Sequence, residues 1–261
     1  MYTIFKIFFN YFQIWIFSLE IIIFYRSISG TIIGIDYGDL IAKFVEHIRY
    51  YWFTCTYFNS SVFIICSYMR GMDRLLYDLA AEPTLAHALI ERVGEACIAL
   101  NKANLASIGN RIELYGMWDD FAGQDNLFMS PAMWRRYFKP YYKRLIEEAK
   151  KYGLIVYFHC CGDLFDVIPD LIDLGVDILD PIQTSARRMK WKDLKREFGK
   201  HLCFHGGIDI QKLLPHGTPA EVQDEVRGVK ELFDGEGGLL LGPSHLMTRD
   251  IPVENIIAMY R

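Results

Sequence analysis

The sequence predicts an α/β fold with a parallel sheet, and within that class a (β/α) barrel. Three observations carry this. Short continuous apolar runs alternate strictly with amphipathic helical stretches from about residue 62 onward, as in parallel strands covered by helices. The links between them are short. No G-x-G-x-x-G follows the first strand, so a dinucleotide-binding sheet is not favoured.

In chain order, "VFIIC" (62–66) reads as a short strand. "MDRLLYDLAAEPTLAHALIERVGEACIALNKANLAS" (72–107) has helical spacing broken near Pro83, with Leu85, Leu89, Val93 and Cys97 on one face. "RIELYGM" (111–117) is a strand. "SPAMWRRYFKPYYKRLIEEAKKYG" (130–153) is a helix, capped by Ser130, opened by Pro131 and stopped at Gly153. "LIVYF" (154–158) is a strand, "DLFDVIPDLIDLG" (163–175) a helix with a glycine stop, and "VDILD" (176–180) a strand. "MKWKDLKREFG" (189–199) is a helix and "LCF" (202–204) a strand. "TPAEVQDEVRGVKELFDG" (218–235) is a helix with Thr218 as its cap. "GLLLG" (238–242) is a strand, and "PVENIIAMYR" (252–261) starts another helix.

Composition bounds the function. The chain has 261 residues, 52% hydrophobic and 23% charged, with a formal charge of −4. That is enough for one large domain with a real core. No basic stripe stands out, so a nucleic-acid partner is not expected. The six cysteines lie at 55, 66, 97, 160, 161 and 203 without regular spacing. A disulfide framework is not expected, and a reducing, cytoplasmic setting fits better.

The chain divides into an atypical hydrophobic segment, 1–60, and a barrel domain, 61–261. Residues 1–28 are dominated by Ile, Phe and Tyr, with Lys6, Glu20 and Arg26 as the only charges. Three readings fit them: a membrane helix, a buried strand or helix, or a stretch with no evolved role. Glu20 would sit unpaired in a bilayer, so a membrane partner is not expected.

In such a barrel, chemistry gathers at the C-terminal ends of the strands. Trp118, Asp119, Asp120 and Gln124 follow "RIELYGM". His159, Cys160, Cys161 and Gly162 follow "LIVYF". Asp180, Pro181 and Gln183 follow "DIL", His205, Gly206, Gly207 and Asp209 follow "LCF", and Pro243, Ser244 and His245 follow "LLLG". The opposite ends show Gly153, Gly175 and Lys200, plain turn and surface residues. Asp119, Asp120, Asp180 and His205 are the candidate catalytic groups. Gln183, Gly206 and Gly207 are candidates for holding a cofactor. Asp119 and Asp120 serve equally as helix-capping or loop acids.

Residues i and i+2 of an extended chain point the same way. His159 and Cys161 therefore share a side, and Cys160 takes the other. Imidazole and thiolate at that separation can bind one Zn²⁺, and Gly162 lets the chain turn beside it. His205 and His245 are both candidates for a third ligand. Three protein ligands would leave one position free for chemistry. The competing reading is a buried thiol beside a hydrogen-bonded histidine. The cysteines at 55, 66, 97 and 203 read as core.

Five stretches carry a family resemblance: "RGMDRLLYDLAAEP", "DDFAGQDNLFMSP", "HCCGDLFDVIPDLIDLGVDILDPIQ", "LKREFGKHLCFHGGIDIQKLLPHGTPAEV" and "GPSHLMTRDIPVENIIAMY". In order and spacing, residues 62–261 resemble the uroporphyrinogen decarboxylase superfamily, which includes cobalamin-dependent methyltransferases acting on coenzyme M. The resemblance implies a (β/α)8 TIM barrel, incomplete or altered at its N-terminus, because the start of that fold is not recognisable in residues 1–60.

Two chemistries follow from it. In the methyltransferase branch, an H-x-C pair and a later Cys or His hold zinc, which activates a thiol to take a methyl group from a corrinoid. His159 and Cys161 match that pair, and His245 falls where the third ligand lies. The resemblance thus implies a small-molecule substrate and a corrinoid protein as partner. The decarboxylase branch uses no metal and binds its substrate's carboxylates through an arginine-rich N-terminal segment. Only Arg26 and Arg49 occur in residues 1–60, too few for such a ligand. The leading expectation is a zinc-dependent methyltransferase. A uroporphyrinogen decarboxylase and a truncated non-catalytic barrel are the alternatives.

Overall fold

A computed structural model describes residues 55–57, 60–233 and 237–261. They belong to one compact unit, Phe53–Arg261. The readings made for residues 1–28 lie outside the described residues, as does the segment 1–60 apart from residues 55–57 and 60.

The strands are β1 (Cys55–Tyr57), β2 (Leu114–Trp118), β3 (Ile155–His159), β4 (Ile178–Asp180), β5 (Cys203–Ile208) and β6 (Leu239–Pro243). They form one sheet in the order β1-β2-β3-β4-β5-β6, with every pairing parallel. Sequence neighbours are sheet neighbours throughout, so each connection crosses over one helical layer, as repeated βα units require. The α/β class with a parallel sheet is as expected. Six strands, rather than eight, stand among the described residues.

The helices are α1 (Val62–Arg70), α2 (Met72–Ala81), α3 (Pro83–Ile108), α4 (Pro131–Tyr137), α5 (Lys139–Lys150), α6 (Ile168–Leu174), α7 (Trp191–Phe198), α8 (Leu213–His216), α9 (Pro219–Phe233) and α10 (Val253–Met259). None among the described residues is long and apolar enough to cross a membrane. Val156 and Phe158 of β3 and Phe204 of β5 are fully buried in the main core with Trp134, Tyr142 and Leu145. Tyr157, His159 and His205, the residues between and beyond them, are only partly covered. The pleat therefore sends apolar side chains to the helices and polar ones to the other face.

Several sequence readings need correction. "VFIIC" is the first half of α1, not a strand. A short apolar run has no periodicity that separates buried helix from buried strand. The choice is made by a residue over fifty positions away: Asp119 accepts from the backbone N–H groups of Phe63 (2.7 Å) and Ile64 (2.9 Å). The 130–153 helix is two helices broken at Phe138, because Pro140 has no N–H to continue the ladder. Ser130 does cap the first, accepting from Met133 N at 3.2 Å. Leu85 is exposed, and the buried stripe of α3 runs instead through Ala86, Ile90, Val93, Cys97, Ile98 and Leu105. The 163–175 helix starts only at Ile168, because Asp163 turns back to accept from Phe165 N. Gly175 ends it at φ +96°. Strand β5 runs four residues past "LCF", so His205, Gly206 and Gly207 are inside the ladder, with His205 opposite Leu240.

Asp119 is fully buried and also accepts from the Tyr142 hydroxyl at 2.6 Å. Burial pushes its carboxyl from 3.8 up to about 7, against the pull of those three donors. Between these values the folded protein holds a proton that the unfolded chain has released, so this group's contribution to stability falls as pH rises from about 4 to 7. The Tyr142 hydroxyl matters most once the carboxyl is charged. Tyr142→Phe should cost about 1.5–3 kcal/mol at pH 8 and about 0.5–1.5 kcal/mol at pH 5.5. Urea denaturation at both pH values checks this, and equal losses would contradict it.

Candidate metal centre

The parallel register builds the site. Trp118 of β2 pairs with His159 of β3, which pairs with Asp180 of β4. One step along, Leu179 pairs with Phe204, so His205 follows beside Asp180. Three neighbouring strands thus deliver imidazole, carboxylate and imidazole to one level of the sheet.

Asp180 sits between the two rings. Its Oδ2 lies 2.5 Å from His159 Nδ1 and its Oδ1 2.5 Å from His205 Nδ1. A carboxylate only accepts, so both Nδ1 atoms carry hydrogen. In the neutral ring that metal binding requires, this leaves the Nε2 of His159 as the lone-pair atom, and it faces Cys161 Sγ at 3.7 Å. The rings of His159 and His245 are 6.0 Å apart. One ligand atom from each of His159, Cys161 and His245 lies within 4.8 Å of the others. His159 and Cys161 are partly covered and His245 is exposed.

Cys160 is fully buried on the opposite side. Cys66, Cys97, Cys160, Cys161 and Cys203 are all free thiols. Burial pushes Cys66, Cys97, Cys160 and Cys203 up, Cys97 to about 12. Cys161 alone among these is held below the ordinary value: burial opposes this, but contacts with His159 and His245 outweigh it. For His159, burial works downward, yet Asp180 and Cys161 hold it up at about 10. The Cys161 contact raises His245. Burial would raise Asp180, but its two imidazoles bring it down to about 2.

The turn after β3 is held from several sides. Asp120 Oδ1 accepts from Cys161 N at 2.7 Å, and Gln183 Oε1 from Gly162 N at 2.8 Å. Gly162 has φ +97°, and a Cβ there would lie 2.5 Å from the Gly123 carbonyl oxygen, so only glycine fits. Arg188 Nε donates to Asp163 at 3.0 Å, tying the loop after β4 to the loop after β3.

The structure thus brings His159, Cys161, His245, Asp180 and His205 together. Asp120 stands beside them, 4.0 Å from His159 Nε2. Asp119 does not join them with its side chain; its carboxylate is occupied by α1 and Tyr142. Gln183 binds the Gly162 turn. Gly207 is at φ +99°, and a Cβ on it would lie 1.9 Å from the Trp191 ring, a packing reason for glycine there. Gly206 is at φ +84°, with Pro243 O and Pro181 against it. Tyr157 was missed: its hydroxyl lies 2.8 Å from His205 Nδ1. The signal was the two-residue period that already paired His159 with Cys161, read one step back.

The donor set suits zinc. One thiolate and two imidazoles are borderline-soft ligands, and a carboxylate bound to the second nitrogen of a histidine is the usual support of such a ligand.

Residues 42–261 match the family model for uroporphyrinogen decarboxylase (URO-D). The chain belongs to this family. A methylated-thiol–coenzyme M methyltransferase of Methanosarcina mazei is 23% identical to this URO-D family chain over 199 residues, 76% of this chain and 50% of that protein. A uroporphyrinogen decarboxylase of Thermus thermophilus is 24% identical over 206 residues, covering 76% and 56%. A solved methyltransferase from Methanosarcina mazei superposes with a TM-score of 0.60 at 19% identity, over 77% of this chain and 55% of that one. The shared fold is therefore that of the URO-D family, and these named relatives are enzymes. The chain spans about half the length of the curated relatives it matches.

Asp180 supports His159 without belonging to the thiolate–imidazole set. Asp180→Asn should weaken zinc binding about 10–100-fold, read by competition with a chromophoric chelator. An unchanged affinity would show that His159 needs no orienting partner.

Proposed function

We propose that this URO-D family member is a zinc-dependent methyltransferase. It moves a methyl group between a corrinoid, carried by a partner protein, and a small thiol or related acceptor. One observation carries the reading: His159, Cys161 and His245 present ligand atoms within 4.8 Å of one another, with Asp180 fixing the tautomer of His159. The methyltransferase relative adds support, since its name specifies thiol chemistry.

His159, Cys161 and His245 would hold the ion. Zinc, when bound, lowers the pKa of a thiol and keeps its sulfur as the nucleophile. The protein's own part is preorganisation. Asp180 holds His159 Nδ1–H so that Nε2 faces the site. Asp120 and Gln183 hold the Cys161–Gly162 backbone in the turn that aims Sγ. Phe158 and Cys160 anchor the strand behind it in the core. Three protein ligands leave a position for the substrate. A reducing cytoplasm suits a free, depressed thiol of this kind.

The experiment is a pair of substitutions read by metal analysis. The parent protein should carry about one zinc per chain, the occupancy of a three-ligand catalytic site. Cys161→Ser should abolish stoichiometric zinc, whereas Cys160→Ala, on the opposite face, should retain it. Equal zinc content in both variants, or none in the parent, would sink the reading.

A further inference from the structure

We propose that His205 is the proton acceptor for the incoming thiol, a base set beside the metal ligands and aligned by the same carboxylate that aligns one of them. This deepens the reading above and rests on it.

The geometry is asymmetric in a useful way. Asp180 has two oxygens and gives one to each ring. His159 has its free nitrogen turned to Cys161 and the ligand cluster. His205 is not in that cluster. Its Nδ1–H is committed to Asp180 at 2.5 Å, with the Tyr157 hydroxyl 2.8 Å away. Its Nε2 is therefore the lone-pair nitrogen, and the side chain is 37% exposed whereas that of Asp180 is 8% exposed. An imidazole with one nitrogen held by a buried carboxylate and the other free on a reachable face is the arrangement of a general base. The ionisable groups seen against its ring are Asp180 on β4 and Tyr157 on β3, and its register neighbour on β6 is Leu240. Leu240 brings no charge to compete for the proton.

The step is simple to balance. The S–H bond of the thiol breaks, its electron pair stays on sulfur, and the proton moves to Nε2 of His205. Asp180 faces the imidazolium that results. No redox partner is needed. A ligand histidine cannot do this, because its lone pair is committed to the ion. His205 is beside the ligands and outside them, which frees it for proton transfer.

The test uses the full chain loaded with cobalt(II) and 2-mercaptoethanol as the probe thiol. Growth of the sulfur-to-cobalt charge-transfer band reports thiol capture without requiring turnover. The variant is His205→Asn, which keeps a donor for Asp180 and removes the base; His205→Gln is the second variant should the first fold poorly. Cobalt content should equal that of the parent. Capture should slow by a factor of about 100 or more at pH values below the thiol's own pKa, the contribution expected of a positioned base. The two proteins should converge above that pKa, where the thiol arrives already ionised. Equal rates at every pH would overturn the proposal and leave the metal centre standing. Loss of cobalt in both variants would make His205 a prop of the ligand set, and would also overturn it. Absence of any thiol-dependent band in the cobalt-loaded parent would instead overturn the thiol reading on which the proposal rests.

Discussion

The carboxylate of Asp180 holds two histidines from two different strands, and the site depends on it. It is nearly buried, so its charge requires partners, and His159 and His205 supply them. In return, each imidazole is held in one tautomer with its other nitrogen presented outward. A water-exposed acid could not do this, because solvent would compete for both oxygens. Three adjacent parallel strands in fixed register are needed to set the three groups side by side, so fold and site are one requirement.

A second buried acid serves the scaffold. Asp119 comes next after Trp118 and ends up fully buried, where it ties the start of α1 to Tyr142 of α5. Its neighbour Asp120 points the other way, to the Cys161 backbone. Adjacent acids of the same type thus divide between stability and site because the strand's alternation sends them to opposite faces. Asp119 retains its hydrogen bonds at a desolvation cost, which the upward push on its carboxyl expresses.

Cys66, Cys97, Cys160 and Cys203 behave as small hydrophobes or half-buried strand residues, and burial makes their thiols harder to ionise. Cys161 departs from them because it has two imidazoles within reach. The difference between Cys160 and Cys161, adjacent and chemically identical, comes only from the side of the chain each faces.

Much of this was legible in the chain itself. Period-two alternation in "YFHCC" put His159 and Cys161 on one side and Cys160 on the other before any contact was known. The alternation of apolar runs with amphipathic helices declared parallel βα units, because those patterns depend only on local periodicity. Other features were not legible. "VFIIC" looked like a strand because its helical state is set by Asp119, over fifty residues away. The division of labour between Asp119 and Asp120 was left open, since sequence does not show which acid is buried. The choice of His245 over His205 as third candidate ligand stayed open on spacing and came from the family resemblance, and the sharing of Asp180 between two rings was not foreseen. These depend on which strands become neighbours and in what register, and long-range pairing leaves no trace in local periodicity. The sequence by itself determined the kinds of element and the facing of each strand residue, because backbone geometry does. Only the tertiary structure decided which residues meet, because burial and register act between segments far apart in the chain.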